Sequence, residues 1–186
     1  MGFDIYGLNP TQLTSKPEIL NKNWGDLNEQ ETEIYFDARR KYEQANPGEY
    51  FRNNVWWWRP LWDYVCVVCD EVLSDKDKDG GCHNSGHKIN EKKTNEMCEL
   101  LKIEILLDKH KEYEEIYKER INNLPLEQCS VCEGTGQRDD EYVKGECNSC
   151  NGLGKRKSWD SNYPFSAENV ERFVDFLSYC NGMQIC

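Results

Sequence analysis

The sequence predicts an α+β protein in which a small mixed body with long helices carries an inserted four-cysteine ribbon. Three observations predict this class. The first residues alternate as in a short strand, long stretches repeat apolar residues at helical spacing, and the unit Cys-x-x-Cys-x-Gly-x-Gly occurs twice. An apolar helical stripe follows the second unit and needs a partner that covers it. The ribbon is therefore expected to interrupt one body.

The N-terminal region combines a strand and a helix. Residues Gly2–Gly7 alternate well enough for a short strand, and a polar, turn-rich stretch follows to about Asn28. A helix is predicted over Glu29–Ala45, because Asn46-Pro47-Gly48 must end it. The apolar face of this helix consists of Ile34, Ala38, Tyr42 and Ala45.

Tryptophans are concentrated in the segment after this helix. Four of the six lie within residues 56–62. Alternation from Glu49 to Arg59 predicts a strand, whereas Pro60 cannot continue a central strand but fits the first turn of a helix. The helix that begins there has apolar stripes on two sides, which predicts burial on both.

Polar side chains among these tryptophans predict a ligand pocket. Aromatic rings beside Arg and Asn suit a flat, anionic, nucleotide-like ligand, because the rings stack and the polar groups bind phosphate and base edges. The expected ligand-binding residues are Arg52, Asn53, Asn54, Trp57 and Arg59, with Asn84 and His87 from the following loop. The alternative is an aromatic core in which these polar groups have protein partners.

Residues 74–91 are predicted to form a polar loop rich in Asp and Gly. Its histidines leave a second metal site open, with ligands from Cys66, Cys69, Cys82 and either His83 or His87. The valines around Cys66 and Cys69 favour the alternative, in which both are buried as small apolar side chains.

The longest periodic stretch runs from Asn90 to Asn123 and predicts one long helix, or two that meet near Asp108. Charged residues concentrate in its second half, which is typical of a solvated rod. A last helix is predicted to begin after Ser166 and to stop at Gly182. Its apolar stripe consists of Val170, Phe173, Val174 and Leu177.

The two Cys-x-x-Cys units predict a single metal site. One structural Zn²⁺ is expected, because four thiolates fill a tetrahedral zinc ion and leave no open position for a substrate. The ligands would be Cys129, Cys132, Cys147 and Cys150. A disulfide pair and a redox-active Cys-x-x-Cys remain as alternatives. The repeated Gly-x-Gly tails favour the metal, since they let the chain turn beneath the sulfurs.

This motif resembles the cysteine-rich zinc region of DnaJ-type co-chaperones, over roughly residues 127–158. Those proteins carry four copies of the motif, whereas this chain has two. The resemblance implies a ribbon with one metal ion and a surface that holds extended peptides. The chain has no His-Pro-Asp tripeptide, so co-chaperone activity does not carry over.

The predicted domains follow from these segments. The α+β body occupies residues 1–124, the zinc ribbon residues 125–158, and a C-terminal helix that packs back on the body residues 159–186. A chain of 186 residues is long enough to bury a core of this kind.

Composition and charge limit the possible partners. Hydrophobic residues make up 38% of the chain and aromatic residues 12%, which excludes a disordered protein. The net charge of −11 argues against general binding to nucleic acid backbones. We find no stretch with the apolar length of a membrane helix and no signal-peptide pattern, so we expect no membrane partner and a cytoplasmic location.

Three segments together resemble a family of proteins found mainly in bacteriophage and bacterial genomes. They are Met1-Gly-Phe-Asp-Ile-Tyr-Gly7, Tyr50-Phe-Arg-Asn-Asn-Val-Trp-Trp-Trp-Arg-Pro-Leu-Trp62 and Tyr163-Pro-Phe-Ser-Ala-Glu-Asn-Val170. The resemblance implies zinc knuckles and a phage context, with the host cytoplasm as location, and it implies no mechanism.

These features favour a binding protein over an enzyme. The leading hypothesis is a phage accessory protein that recognises or sequesters a small nucleotide-like ligand. The second is a protein-interaction module that inhibits a host factor or binds a peptide through the ribbon and the acidic surface. The third is a nucleotide hydrolase that uses His83, His87 and the aspartates at 75–79, although the chain shows no phosphate loop and no nucleophile spaced with a base.

Overall fold

The computed structural model describes residues 2–186 and confirms the α+β class. The elements in chain order are β1 (Gly2–Gly7), α1 (Glu29–Ala45), β2 (Tyr50–Asn54), α2 (Val55–Val68), α3 (Asp75–Gly80), β3 (His87–Ile89), α4 (Glu91–Leu106), α5 (Lys109–Asn122), β4 (Leu126–Gln128), β5 (Gln137–Asp139), β6 (Lys144–Glu146), β7 (Lys155–Lys157), α6 (Ala167–Cys180) and β8 (Met183–Ile185). None of the helices in this part of the chain is both long and apolar enough to cross a membrane.

The chain divides into two compact units. The first unit contains residues 1–111 and 166–186, and the second contains residues 112–165. The division falls between Lys111 and Glu112, near the N-terminal end of α5. The second unit therefore includes most of α5 together with the four short strands β4 to β7.

The first unit is built around a four-stranded antiparallel sheet with the order β2-β1-β8-β3. Phe3 and Ile5 of β1 are buried on one face, as is Phe51 of β2, because successive side chains of a strand point to opposite faces. The other face carries polar and aromatic side chains such as Asp4 and Tyr6. The two faces of this sheet therefore have different chemistry.

Stacked aromatic rings form the centre of the first unit's core. The Trp58 ring stacks on Phe3 and on Trp62, with ring centroids 5.4 Å apart in both pairs. Both indole nitrogens have acceptors, since Trp58 Nε1 donates to Gly81 O at 2.8 Å and Trp62 Nε1 to Lys78 O at 2.9 Å. The two rings are thus buried without an unpaired donor.

The tryptophan segment is helical where the sequence predicted a strand. β2 ends at Asn54, whose side-chain oxygen accepts hydrogen bonds from the backbone N–H groups of Trp56 and Trp57 and thereby caps α2. Pro60 lies inside α2 and not at its start. Proline has no backbone N–H, so the helix lacks the hydrogen bond that residue 60 would otherwise donate to the Trp56 carbonyl, which is a cost within a helix.

Three short elements of the first unit, α3, β3 and β8, were missed in the sequence. α3 and β3 lie within the predicted polar loop, and Ser74 and Asp77 form a reciprocal capping box at the start of α3. β8 follows the last helix and pairs with both β1 and β3. Three residues are too few for a recognisable alternation, so only the pairing with two neighbouring strands reveals that β8 is central.

The remaining helices agree with the predictions. α1 has the predicted bounds and a capping box between Asn28 and Glu31. α4 and α5 are two helices, separated at Asp108, whose φ of 55° is left-handed. α6 begins after Ser166, which accepts a hydrogen bond from the Asn169 N–H, and it ends at Cys180.

Candidate functional site

The second unit brings the four predicted cysteines together. Their sulfur atoms all lie within 4.8 Å of one another, and all four side chains are buried. Cys129 Sγ lies 4.0 Å from Cys147 Sγ, and Cys132 Sγ lies 3.7 Å from Cys150 Sγ. The antiparallel pairs β4–β7 and β5–β6 hold the two Cys-x-x-Cys turns in this position. The four predicted cysteines therefore form one cluster that could hold a metal ion.

The two turns are equivalent in their backbone bonding. Cys129 N–H donates to Gly154 O at 2.9 Å, and Cys147 N–H donates to Gly136 O at 2.9 Å. Gly136 N–H donates to Cys132 Sγ and Gly154 N–H to Cys150 Sγ, both at 3.3 Å. Each half of the repeat therefore supports the other, and the N–H groups favour thiolate sulfurs.

The ionisation of these thiols depends on opposing effects. A hydrogen bond from the Cys132 backbone N–H lowers the pKa of Cys129 below the ordinary thiol value, whereas burial raises the pKa of Cys150 to about 11. A cation among the sulfurs would favour the thiolate at every position. Four sulfurs at these separations could surround one tetrahedral metal ion, which would leave no ligand position for a substrate and would make the site a structural one.

Glycines are required where the two halves of the ribbon approach most closely. A Cβ at Gly136 would lie 2.2 Å from Gly152 O, and a Cβ at Gly154 would lie 2.3 Å from Gly134 O. Both residues also have positive φ, at 73° and 69°. A side chain at either position would therefore displace the opposite strand's backbone.

Gly136→Ala is expected to destabilise the ribbon more than Gly152→Ala does. Both changes add the strain of positive φ, roughly 1–2 kcal/mol. At Gly152 the new Cβ would meet the Glu146 side chain at 3.4 Å, whereas at Gly136 it would collide with a backbone carbonyl. Hydrogen exchange of the Cys129 and Cys147 amides measures the difference. Equal losses of protection in the two variants would show that the close approach is unimportant.

The second metal site considered from the sequence is not assembled. Within residues 2–186, the ribbon cysteines are the one group of three or more ligands that converges. Cys69 is buried against Met97 O, and the exposed Cys82 faces Lys78 O. Burial raises the pKa of Cys66 and of Cys69 to about 12, which disfavours the thiolates that a metal needs.

The seven predicted ligand-binding residues do not share one pocket. β2 and β3 are opposite edges of the sheet, so that β1 and β8 lie between Asn53 and His87. In the described chain, two of the seven, Asn53 and Trp57, line a common cavity of about 210 Å³. Arg59 is exposed on α2, and Arg52 is exposed beside Asp4 at 3.6 Å.

Other members of this set bind protein groups. Asn54 caps α2, and Asn84 Nδ2 donates to Gly2 O at 2.7 Å. His87 Nε2 lies 2.9 Å from Asp77 Oδ1. Asp77 is buried and also accepts hydrogen bonds from Ser74 and Lys93, so it joins α3, β3 and α4.

The cavity beside Trp57 contains residues that sequence reasoning missed. Asn169 and Arg172 of α6 line it together with Ser166 and Glu168. Asn53 Nδ2 donates to Asn169 Oδ1 at 2.9 Å, although the two residues are 116 positions apart. No local pattern predicts such a pair. The Trp57 ring and the Arg172 guanidinium can hold a planar group next to an anion, while the amide donors of Asn53 and Asn169 bond to Asn169 Oδ1 and to Trp57 O.

The candidate functional regions are therefore the four-sulfur cluster of the second unit and the small cavity of the first. A comparison of the chain with protein families, with curated proteins and with solved structures finds no match.

Proposed function

We propose that the ribbon binds one Zn²⁺ and that the chain is a zinc-stabilised binding protein. Four sulfurs about 2.3 Å from one tetrahedral ion lie about 3.8 Å apart, which agrees with the shorter sulfur separations of 3.7 and 4.0 Å. A disulfide would need sulfurs at about 2 Å. A tetrahedral set of four thiolates selects zinc or iron–sulfur centres, and the small cluster suits a single ion.

The ligand of the first unit is nucleotide-like and binds at the cavity lined by Asn53 and Trp57. The single observation that supports this is the convergence of Trp57, Asn53, Asn169 and Arg172 on one cavity of about 210 Å³. This volume is below the roughly 300–1,000 Å³ of pockets for drug-sized ligands, so the cavity would hold one base-sized ring. A phosphate would then remain outside, within reach of the guanidinium.

Nucleoside monophosphates are expected to raise the melting temperature of the protein. Trp57→Ala and Arg172→Ala are each expected to weaken nucleotide binding about tenfold or more. Loss of one stacking contact costs roughly 1–3 kcal/mol of binding free energy, and loss of a hydrogen bond to a charged group costs a similar amount. Isothermal titration calorimetry of each variant measures the change. Trp24→Ala is the matched control, because Trp24 is exposed and does not line the cavity. Absence of any melting shift with all four common nucleotides would contradict the proposal.

Protein recognition through the ribbon is the second candidate. Val131, between Cys129 and Cys132, and Leu153, between the two glycines that follow Cys150, are 44% and 78% exposed although both are apolar. This candidate requires a partner whose binding is lost in Leu153→Ser and is kept in Trp57→Ala. Nucleotides would then leave the melting temperature unchanged, so the two candidates give opposite results with the same variant.

A further inference from the structure

A groove of about 570 Å³ lies on the face of the sheet that carries Asp4 and Tyr6, in the first unit. Four segments contribute to it: the strands β1 and β2, the helix α1, and the chain between β1 and α1. Its volume is within the usual range for small-molecule sites, roughly 300–1,000 Å³. The side chains that decide its chemistry are Tyr6, Lys16, Tyr35, Arg39, Glu49 and Tyr50.

The walls of this groove are held in place by hydrogen bonds. Asn46 is fully buried, and its Oδ1 accepts from the backbone N–H groups of Leu13 and Thr14 at 2.8 and 3.0 Å. Its Nδ2 donates to Thr14 Oγ1 and to Tyr42 O. One side chain therefore attaches the chain before α1 to the C-terminal end of α1. A site that is formed before binding costs less conformational entropy on binding.

Tyrosine rings form one wall. The centroids of Tyr6 and Tyr50 are 5.2 Å apart, and Tyr6 is 42% exposed. The Tyr50 hydroxyl donates to Asp4 Oδ1, and the Tyr42 hydroxyl donates to Glu49 Oε1 at 2.8 Å. Burial and the bond to Asp4 raise the pKa of Tyr50 far above its ordinary value, so its phenol stays neutral. The rings thus offer an uncharged aromatic surface.

The spare hydrogen-bond donors in the groove are cationic, while its formal charges balance, with Lys16 and Arg39 against Glu43 and Glu49. Arg39 Nε donates to Glu43 Oε1 at 2.7 Å, and the terminal nitrogens of its guanidinium are left for another acceptor. Among residues 2–186, Lys16 Nζ makes no hydrogen bond or ion pair. Glu43 and Glu49, by contrast, already accept from Arg39 and Tyr42. The groove therefore has spare donors beside an aromatic wall.

From this arrangement we propose that the groove binds a small aromatic anion, with its ring on Tyr6 and Tyr50 and its phosphate or carboxylate between Lys16 and Arg39. A flat ring packs on tyrosine faces, and an anion satisfies an ammonium and a guanidinium together. The groove is separate from the Asn53 cavity, because Tyr6 and Asn53 point to opposite faces of the sheet. The inference does not depend on the nucleotide site.

Three probes test whether both the ring and the anion are needed. Phenyl phosphate carries both, inorganic phosphate carries the anion alone, and phenol carries the ring alone. Calorimetric titration of the full chain is expected to show phenyl phosphate binding at least about tenfold more tightly than either of the others, since each half contributes its own contacts.

Variants assign the binding to the groove. Lys16→Gln and Arg39→Gln are each expected to weaken the binding of phenyl phosphate about tenfold or more. Tyr6→Leu is expected to weaken the binding of phenyl phosphate but not that of inorganic phosphate. Arg40→Gln is the matched control, because Arg40 is the next residue on α1, pairs with Asp37 and lies outside the groove. Trp57→Ala should leave phenyl phosphate binding unchanged. Circular dichroism confirms that each variant is folded.

The proposal would be overturned by any of three results. Phenyl phosphate could fail to bind at millimolar concentration, inorganic phosphate could bind as tightly as phenyl phosphate, or Arg40→Gln could have the same effect as Arg39→Gln. If Trp57→Ala alone abolished phenyl phosphate binding, the ligand would belong to the Asn53 cavity and the groove would have no role in it.

Discussion

Cys147→Ser is expected to remove zinc from the protein and to unfold the ribbon. The buried cluster of the ribbon consists of the four cysteine side chains, so the strands β4 to β7 have little apolar core without the metal. Structural zinc sites in comparable peptides contribute about 10–16 kcal/mol, which is more than a short hairpin pair can replace. Elemental analysis should give one zinc ion per chain for the unaltered protein and none for the variant.

Hydrogen exchange shows where structure is lost in this variant. The amides of Cys129 and Cys147 donate to Gly154 O and Gly136 O across the ribbon, and both should lose protection. Amides of the sheet in the first unit should keep theirs. Cys82→Ser is the matched control, since Cys82 is exposed and lies outside the cluster, and its zinc content should stay at one. Full ribbon protection in metal-free Cys147→Ser would exclude a structural metal.

Asp77→Asn is expected to lower the free energy of unfolding by about 3 kcal/mol at neutral pH, because removing one partner of a buried ionic group leaves the other charge uncompensated. Asp77 is 7% exposed and accepts hydrogen bonds from Ser74 and Lys93, with His87 Nε2 at 2.9 Å. An asparagine keeps the shape of the side chain but cannot pair with the Lys93 ammonium. Urea denaturation measures the loss, and Asp79→Asn is the control because the Asp79 side chain is 79% exposed.

Asp77 is also expected to make the stability of the fold depend on pH. Burial opposes the ionisation of Asp77, but the bonds from Lys93, Ser74 and His87 outweigh it and hold its pKa well below the ordinary value. A carboxylate whose pKa is lower in the folded state stabilises the fold above about pH 4, and this contribution is lost as pH falls below that value. Asp77→Asn should therefore show a weaker loss of stability below pH 4. An unchanged acid transition would show that Asp77 is not responsible.

Local signals were sufficient for α1 and for the metal site. Asn28 and Glu31 form the cap that starts α1, and Asn46-Pro47-Gly48 ends it. Residues at its two ends therefore determine the bounds of this helix. The four cysteine ligands could be recognised in the same way, since the spacing within each turn and the glycines that follow it are properties of short segments. Both features could be predicted because their sequence signals lie in short segments, although the two cysteine turns meet across 18 residues.

The tryptophan segment shows where local reasoning fails. Alternation of Asn53, Val55 and Trp57 favoured a strand, but the structure ends the strand at Asn54 because that side chain caps the next helix. The capping signal was present in the sequence, as was the Ser74–Asp77 box of α3. The alternation outweighed the capping signal in the first case, and the Asp and Gly content of the loop outweighed it in the second.

The binding surfaces could not be predicted in this way. The cavity beside Trp57 depends on Asn169 and Arg172, and the groove depends on Lys16 and Arg39 facing Tyr6 and Tyr50. These residues come from segments that are far apart in the sequence and lie together in the folded structure. The sequence alone therefore determined the helix limits and the four sulfur ligands, whereas the tertiary structure decided which polar and aromatic side chains share a cavity, because strand pairing brings distant segments together.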